Sequence, residues 1–152
     1  MPTIHAKAQM DLLDWAAPAA LAEFDPRLIR GNSFQSRLSR AVSLACDGSG
    51  MSRPEIAEGM SSYLDVKISL NILNAYASPS RDDHVISVPR FDALLHVTRD
   101  RRLLEFVAAD HGWAVIDRQY LPAVELAHLE QHKRNVEARV RKLRAGVRGV
   151  RA

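Results

Sequence analysis

The 152-residue chain has a single cysteine, Cys46. That excludes an internal disulfide framework and a cysteine-rich zinc site. It has no run of about 18 apolar residues, the length a membrane-spanning helix needs. It does not open on a basic start followed by an apolar stretch, so no secretory leader is expected and an intracellular, cytoplasmic location is. No phosphate-cradling glycine loop occurs. Gly48-Ser49-Gly50 is not a nucleophile elbow, because it lacks the G-x-S-x-G pattern and a preceding strand. No acid, base and nucleophile converge, so neither an enzyme nor a cofactor is expected.

Acids are scarce at one end. Residues 131–152 hold eight basic side chains, Lys133, Arg134, Arg139, Arg141, Lys142, Arg144, Arg148 and Arg151, against Glu137 alone. That segment carries +7, so the rest of a chain whose total is +3 carries −4. A basic tail on a mildly acidic body is the pattern of an arm for nucleic acid or another polyanion.

The 47% hydrophobic content is that of a globular chain, and its periodicity is helical. Residues 1–32 are alanine-rich, contain Pro2, Pro18 and Pro26, and read as an extended arm. Within the arm, Met10-Asp11-Leu12-Leu13-Asp14-Trp15 is a short amphipathic piece that either packs on its own domain or docks a protein partner. The next segment, 33–117, reads as a helical domain. Leu38, Ala41, Val42 and Ala45 follow i, i+3, i+4, i+7 and predict a first helix over 33–46, with Cys46 a buried thiol on its apolar side. Ser52-Arg53-Pro54-Glu55 is a capping box with proline in the first turn. It starts a second helix whose stripe is Ile56, Ala57 and Met60 and which stops near 61–64.

After a turn at 64–67, Ser69 caps a third helix to residue 76. Leu70, Leu73 and Ala77 form its expected inner face, with Asn71, Asn74 and Ala75 elsewhere; Pro79 ends it. A polar loop containing Arg81 follows. Ser87 caps a fourth helix with Phe91, Leu94, Leu95 and Val97 inward, and a fifth over 100–110 has Leu103, Leu104, Phe106 and Val107, closed by His111-Gly112. Residues 113–116 read as a short strand or extended segment on the core, with Trp113 and Phe91 in that core. Residues 118–152 read as a long amphipathic helix with a basic tail. Leu126, Leu129, Val136, Val140, Leu143 and Val147 keep heptad spacing, Lys133 interrupts it, and Gly146 and Gly149 fray the end. This seam suits a homodimer or higher homo-oligomer.

Two other clusters read as structural. His128 and His132 stand at i, i+4, but no Glu directly follows the first, so they fit a solvated helix face better than zinc. Asp82-Asp83-His84 precedes a helix N-terminus, where acids favour the dipole. Arg99, Arg101 and Arg102 divide between a solvated face and phosphate binding.

Two helices joined by a turn suggest a functional constellation. The third would present Lys67, Ser69, Asn71 and Asn74 to a major groove, where asparagine pairs with adenine and lysine with guanine or phosphate. Arg53 and the second helix's start would face phosphate. Arg81 and the tail's Arg139, Arg141, Lys142, Arg144 and Arg148 would add charge.

The segment Ser52-Arg53-Pro54-Glu55-Ile56-Ala57-Glu58-Gly59-Met60-Ser61 resembles the S-R-x-E-I-A-x-x-M-S opening of phage regulators. Asp83 to Phe91, then Thr98-Arg99-Asp100-Arg101-Arg102-Leu103-Leu104, is similar to the capped helix and T-x-D-x-R-L-L that follow there. The likeness spans roughly 36–116 and lies closest to small early-region proteins of Mu-like transposable phages and prophages. It implies an all-α, five-helix lambda-repressor-like domain acting as a non-enzymatic, double-stranded-DNA-binding transcriptional regulator in a bacterial host cell. The alternative it leaves is a protein-interaction adaptor using the same domain. One departure stands out: Tyr63-Leu64-Asp65-Val66-Lys67 is longer than the three- or four-residue turn of a minimal helix-turn-helix.

Overall fold

The computed structural model describes residues 21–81 and 83–149. The segment Met10 to Trp15 lies outside them. Regular structure among the described residues is helical throughout. The chain divides into two compact units, 1–114 and 115–152.

The first unit holds five helices. Helix α1, Phe34–Gly48, starts where the Ser33 hydroxyl accepts from the Ser36 N–H at 3.1 Å. Its inner face is Leu38, Ala41, Val42, Ala45 and Cys46, as its spacing predicts. Helix α2, Arg53–Leu64, forms the full capping box: the Ser52 N–H donates to Glu55 Oε2 at 2.7 Å, and Ser52 Oγ accepts from the Glu55 N–H. Glu55's carboxyl lies below its ordinary range because Ser52 donates to it twice.

Helix α3, Leu70–Tyr76, is entered through five residues rather than a minimal turn, and three features fix that linker. Asp65 closes α2 in the left-handed region at φ 52°, a conformation acidic side chains tolerate better than most. Ile68 is buried. Ser61 Oγ, which donates to the Ala57 carbonyl at 2.7 Å, accepts the Ile68 N–H at 2.8 Å. Ile68 is thus a core residue that the expected inner face of α3 does not include. Leu70 is exposed, and the inner face of α3 is Leu73, Ala75, Tyr76 and Ala77, which also corrects the outward placement of Ala75.

Helix α4, Val88–Thr98, begins at Ser87, whose backbone is extended but whose hydroxyl makes no cap bond. Leu94 and Ala93 are buried, with Phe91, Leu95 and Val97 packed against the core. Helices α2 and α4 cross at Gly59. A Cβ there would sit 3.0 Å from Val97 Cγ2, so a larger residue needs Val97 to give way by a few tenths of an ångström. The same crossing carries Tyr63 stacked on His96 at 4.2 Å, its hydroxyl donating to Asp92 at 2.9 Å.

Helix α5, Arg102–Ala109, buries Leu103 and Phe106 but leaves Leu104 exposed and turns Glu105 inward. Phe106 stacks on Phe34 of α1, and Arg37 bridges to Asp110 at 2.8 Å. The helix closes with paired bonds, Trp113 N–H to Ala108 and Gly112 N–H to Ala109, about Gly112 at φ 73°. That reversal throws Trp113 outward, 71% exposed, so it is not a core residue and no strand follows it.

The core also begins earlier than the arm boundary at residue 32. Phe24 is buried, with the Arg102 guanidinium 4.5 Å above its ring and a 2.7 Å ion pair from that guanidinium to Asp100. Arg102 thus packs on Phe24 and pairs with Asp100.

The second unit holds a 3-10 turn, Arg118–Tyr120, and one 29-residue helix, α6, Leu121–Gly149. The helix runs through Gly146 rather than fraying before it. None of its residues is buried.

Candidate nucleic-acid interface

The surface where α1, α2 and α3 meet is organised by Arg53. It stands at the first position of α2, where the capping box aims the chain back toward α1. Its guanidinium donates to Ser43 Oγ at 2.9 Å and Asp47 Oδ1 at 3.2 Å, both on α1. It also donates to Asn74 Oδ1 at 3.1 Å, on α3. Ser43 in turn donates to Asp47 Oδ2 at 3.4 Å. The planar fork of arginine suits this three-way bonding, which a point-charge ammonium cannot reproduce.

The structure thus brings Arg53 and Asn74 together but uses them on each other. Arg53 is a clamp before it is a phosphate donor. Asn74 Oδ1 accepts one bond from Arg53 and keeps a second lone pair beside it. Asn71, one turn nearer the start of α3, is exposed and its side chain makes no hydrogen bond among the described residues.

Asn71, Asn74, Ala75, Ser78 and Arg81 line one open polar recess of about 450 Å³. Arg81 is exposed at the recess rim, on the loop after α3, where its N–H donates to the Ser78 carbonyl at 3.2 Å. Arg81 also helps hold Asp83 below the ordinary carboxylate range, although the larger cause is the His84 imidazole, whose Nδ1 lies 3.0 Å from Asp83 Oδ2. A second shallow recess, beside Arg40, Ser43 and Ala77, continues the surface onto α1.

Lys67 is exposed on the α2–α3 linker, outside the recess lining. Ser69 stands at the start of α3, at the end of the linker. Its hydroxyl accepts the Ile72 N–H at 3.2 Å and so caps α3. Sequence reasoning missed Ser43, Asp47 and Ser78. The i, i+4 spacing of Ser43 and Asp47 places both on one face of α1, but nothing in the spacing says that Arg53 lies over them.

On α6, Arg139, Arg141, Lys142, Arg144 and Arg148 are all exposed. Arg134, Arg141 and Arg148 recur every seven residues and form a stripe beside, not within, the apolar seam.

Among the described residues, no group of three or more histidine, cysteine or acidic side chains is placed to hold a metal ion. No helix among the described residues is long and apolar enough to cross a membrane. No protein family, curated protein or solved structure matches the chain.

Proposed function

We propose that the chain is a non-enzymatic, double-stranded-DNA-binding transcriptional regulator of phage type, built on a lambda-repressor-like helical domain. The observation that carries this reading is the convergence of Asn71, Asn74 and Arg81 on one open polar recess beside the Arg53 clamp. A recess whose described lining offers amide donors and a guanidinium, and among the described residues no acid, accepts an electronegative edge or a phosphate. Asn71 is the base reader, because both halves of its amide are uncommitted. Asn74 and Arg81 fix position. The recess supplies little net charge, so the basic residues of α6 provide most of the grip, while its apolar seam joins subunits.

The test is a DNA-shift assay with phage early-region duplexes at about 50 and 200 mM salt, the range over which phosphate-driven binding collapses. Wild-type binding falls steeply across it. Removing residues 131–152 flattens the slope by roughly 0.9 for each phosphate that the shortened chain leaves unneutralised. Asn71→Ala reduces discrimination between duplexes more than it reduces affinity, and Arg81→Ala weakens all duplexes alike. An unchanged slope after the deletion removes the tail from the mechanism.

One observation favours the adaptor reading. Leu70 is exposed at the head of α3, where a groove-reading helix is ordinarily polar. Failure to bind any duplex at the lower salt transfers the assignment to it.

A further inference from the structure

Helix α6 exposes an apolar seam, Leu126, Leu129, Val136, Val140, Leu143 and Val147, and buries none of it. Its charges are polarised along its length. Its acids, Glu125, Glu130 and Glu137, all lie in the first part, with Lys133 and Arg134 among them, whereas Arg139, Arg141, Lys142, Arg144 and Arg148 fill the second without an acid. We infer that α6 pairs with α6 of a second copy of this chain, and that the two helices run antiparallel. This rests on the proposal above that the seam joins subunits, and adds the orientation.

The two possible orientations bring different residues together. With Leu126 at the first core position of a heptad, the core sites are Leu126, Leu129, Lys133, Val136, Val140, Leu143 and Val147. In a parallel, in-register pair each core residue faces its own copy, so Lys133 meets Lys133 in the centre of the seam. The flanking sites then bring Glu125 against Glu130 and Arg139 against Arg144, each twice by symmetry. Both of these flanking pairs are repulsive.

Reversing one helix removes these conflicts together. Leu126 then faces Leu143 of the second copy, Leu129 faces Val140, and Lys133 faces Val136, so all seam residues from 126 to 143 are matched. The two Lys133 side chains no longer meet, and each lies beside Glu137 of the other helix. Glu130 falls on the same flank as Arg144 of the second copy, and Glu125 on that of Arg139. Glu137 lies near its own copy in this arrangement, but Lys133 of each helix is beside it. The helix dipoles also oppose one another, which is the favourable alignment. The stripe of Arg134, Arg141 and Arg148 is on the outer side in this pairing and remains exposed.

Cross-linking of the full chain tests the orientation. Cys46 is buried with its thiol pushed up to about 11, so it does not compete with an introduced cysteine. Leu126→Cys and Leu143→Cys chains are prepared separately, then mixed, allowed to exchange and oxidised. The expected result is a covalent dimer in the mixture and none from either variant alone. A covalent dimer from each variant alone overturns the antiparallel orientation. A wild-type chain that sediments as a monomer at tens of micromolar overturns the pairing itself, and the DNA-shift assay on that monomer shows whether DNA binding fails with it. A second measurement does not depend on cysteine geometry. Glu130→Arg creates repulsion with Arg144 in the antiparallel pair and raises the dimer dissociation constant by about tenfold. Adding Arg144→Glu restores it. In a parallel pair Glu130→Arg instead relieves the clash with Glu125 and tightens the dimer, so the sign of the change decides.

Discussion

The Arg53 guanidinium meets Ser43, Asp47 and Asn74 at once, joining three helices through one side chain. Lysine keeps the charge but loses the fork. Arg53→Lys is therefore expected to lower stability by about 1 kcal/mol, the lower range for such bonds because the side chain is partly exposed. Urea denaturation checks this, and an unchanged midpoint would show the clamp to be idle. Cys46 gives a residue-scale pH dependence. Burial raises its thiol from an ordinary 9.0 to about 11, against a smaller lowering by Arg53. Above the ordinary value the unfolded chain releases a proton that the folded chain retains. The thiol's contribution is thus constant below pH 9 and lost as pH climbs toward 11. The stability difference between wild type and Cys46→Ala should be flat below about pH 9 and shift in favour of the variant above it. The same thiol should resist Ellman's reagent at about pH 8 until the chain is unfolded.

At the scale of elements, the α2–α4 crossing depends on a missing side chain. Alanine is ordinarily worth about 1 kcal/mol over glycine inside a helix. At Gly59 the new methyl would lie 3.0 and 3.1 Å from the two Val97 methyls, and Val97 is held by its own packing. Gly59→Ala is expected to destabilise by about 1–3 kcal/mol, and Val97→Ala in the same chain to recover part of the loss. Thermal melts of the three variants check this; a more stable Gly59→Ala would refute the close approach. Helix starts are readable in the sequence for a related reason: capping is local chemistry, carried by Ser33, Ser52 and Ser69 within three residues of the bonds they make. The inner face of α3 is less readable. Seven residues give barely two turns of periodicity, and Ile68, outside the helix, is buried while Leu70 is exposed. Trp113 differs from its expected core position because the apolar character of 113–116 says nothing of the direction in which Gly112 turns the chain. Of the candidate site, the residue types on α3 and its following loop are legible. The Arg53 clamp is not, because Ser43 and Asn74 come together only when three helices pack.

At the scale of the whole molecule, folding and the proposed DNA grip fall to different stretches of chain. The buried residues named above all lie within 24–106, and α6 contributes none. Deleting 131–152 should leave the melting of the helical domain unchanged within about 0.5 kcal/mol. Calorimetry on the two chains checks it, and a large fall in Tm would mean that α6 braces the domain. The acidic balance of residues 1–130 fits the proposed division, in which the body alone would bind polyanions weakly and retention would be left to the arginines of α6.

The Arg53–Asn74 bond has a consequence for genetics. Under the proposed function, a residue that would touch DNA is also one that holds α3 in place, so recognition and folding would share an allele. A screen for variants that no longer bind will return substitutions at Arg53 and Asn74 chiefly as low-abundance proteins, cleared before their binding can be scored. Mutations at Asn71 and Arg81, whose side chains make no hydrogen bond among the described residues, are the ones that would distinguish a failure to bind from a failure to fold.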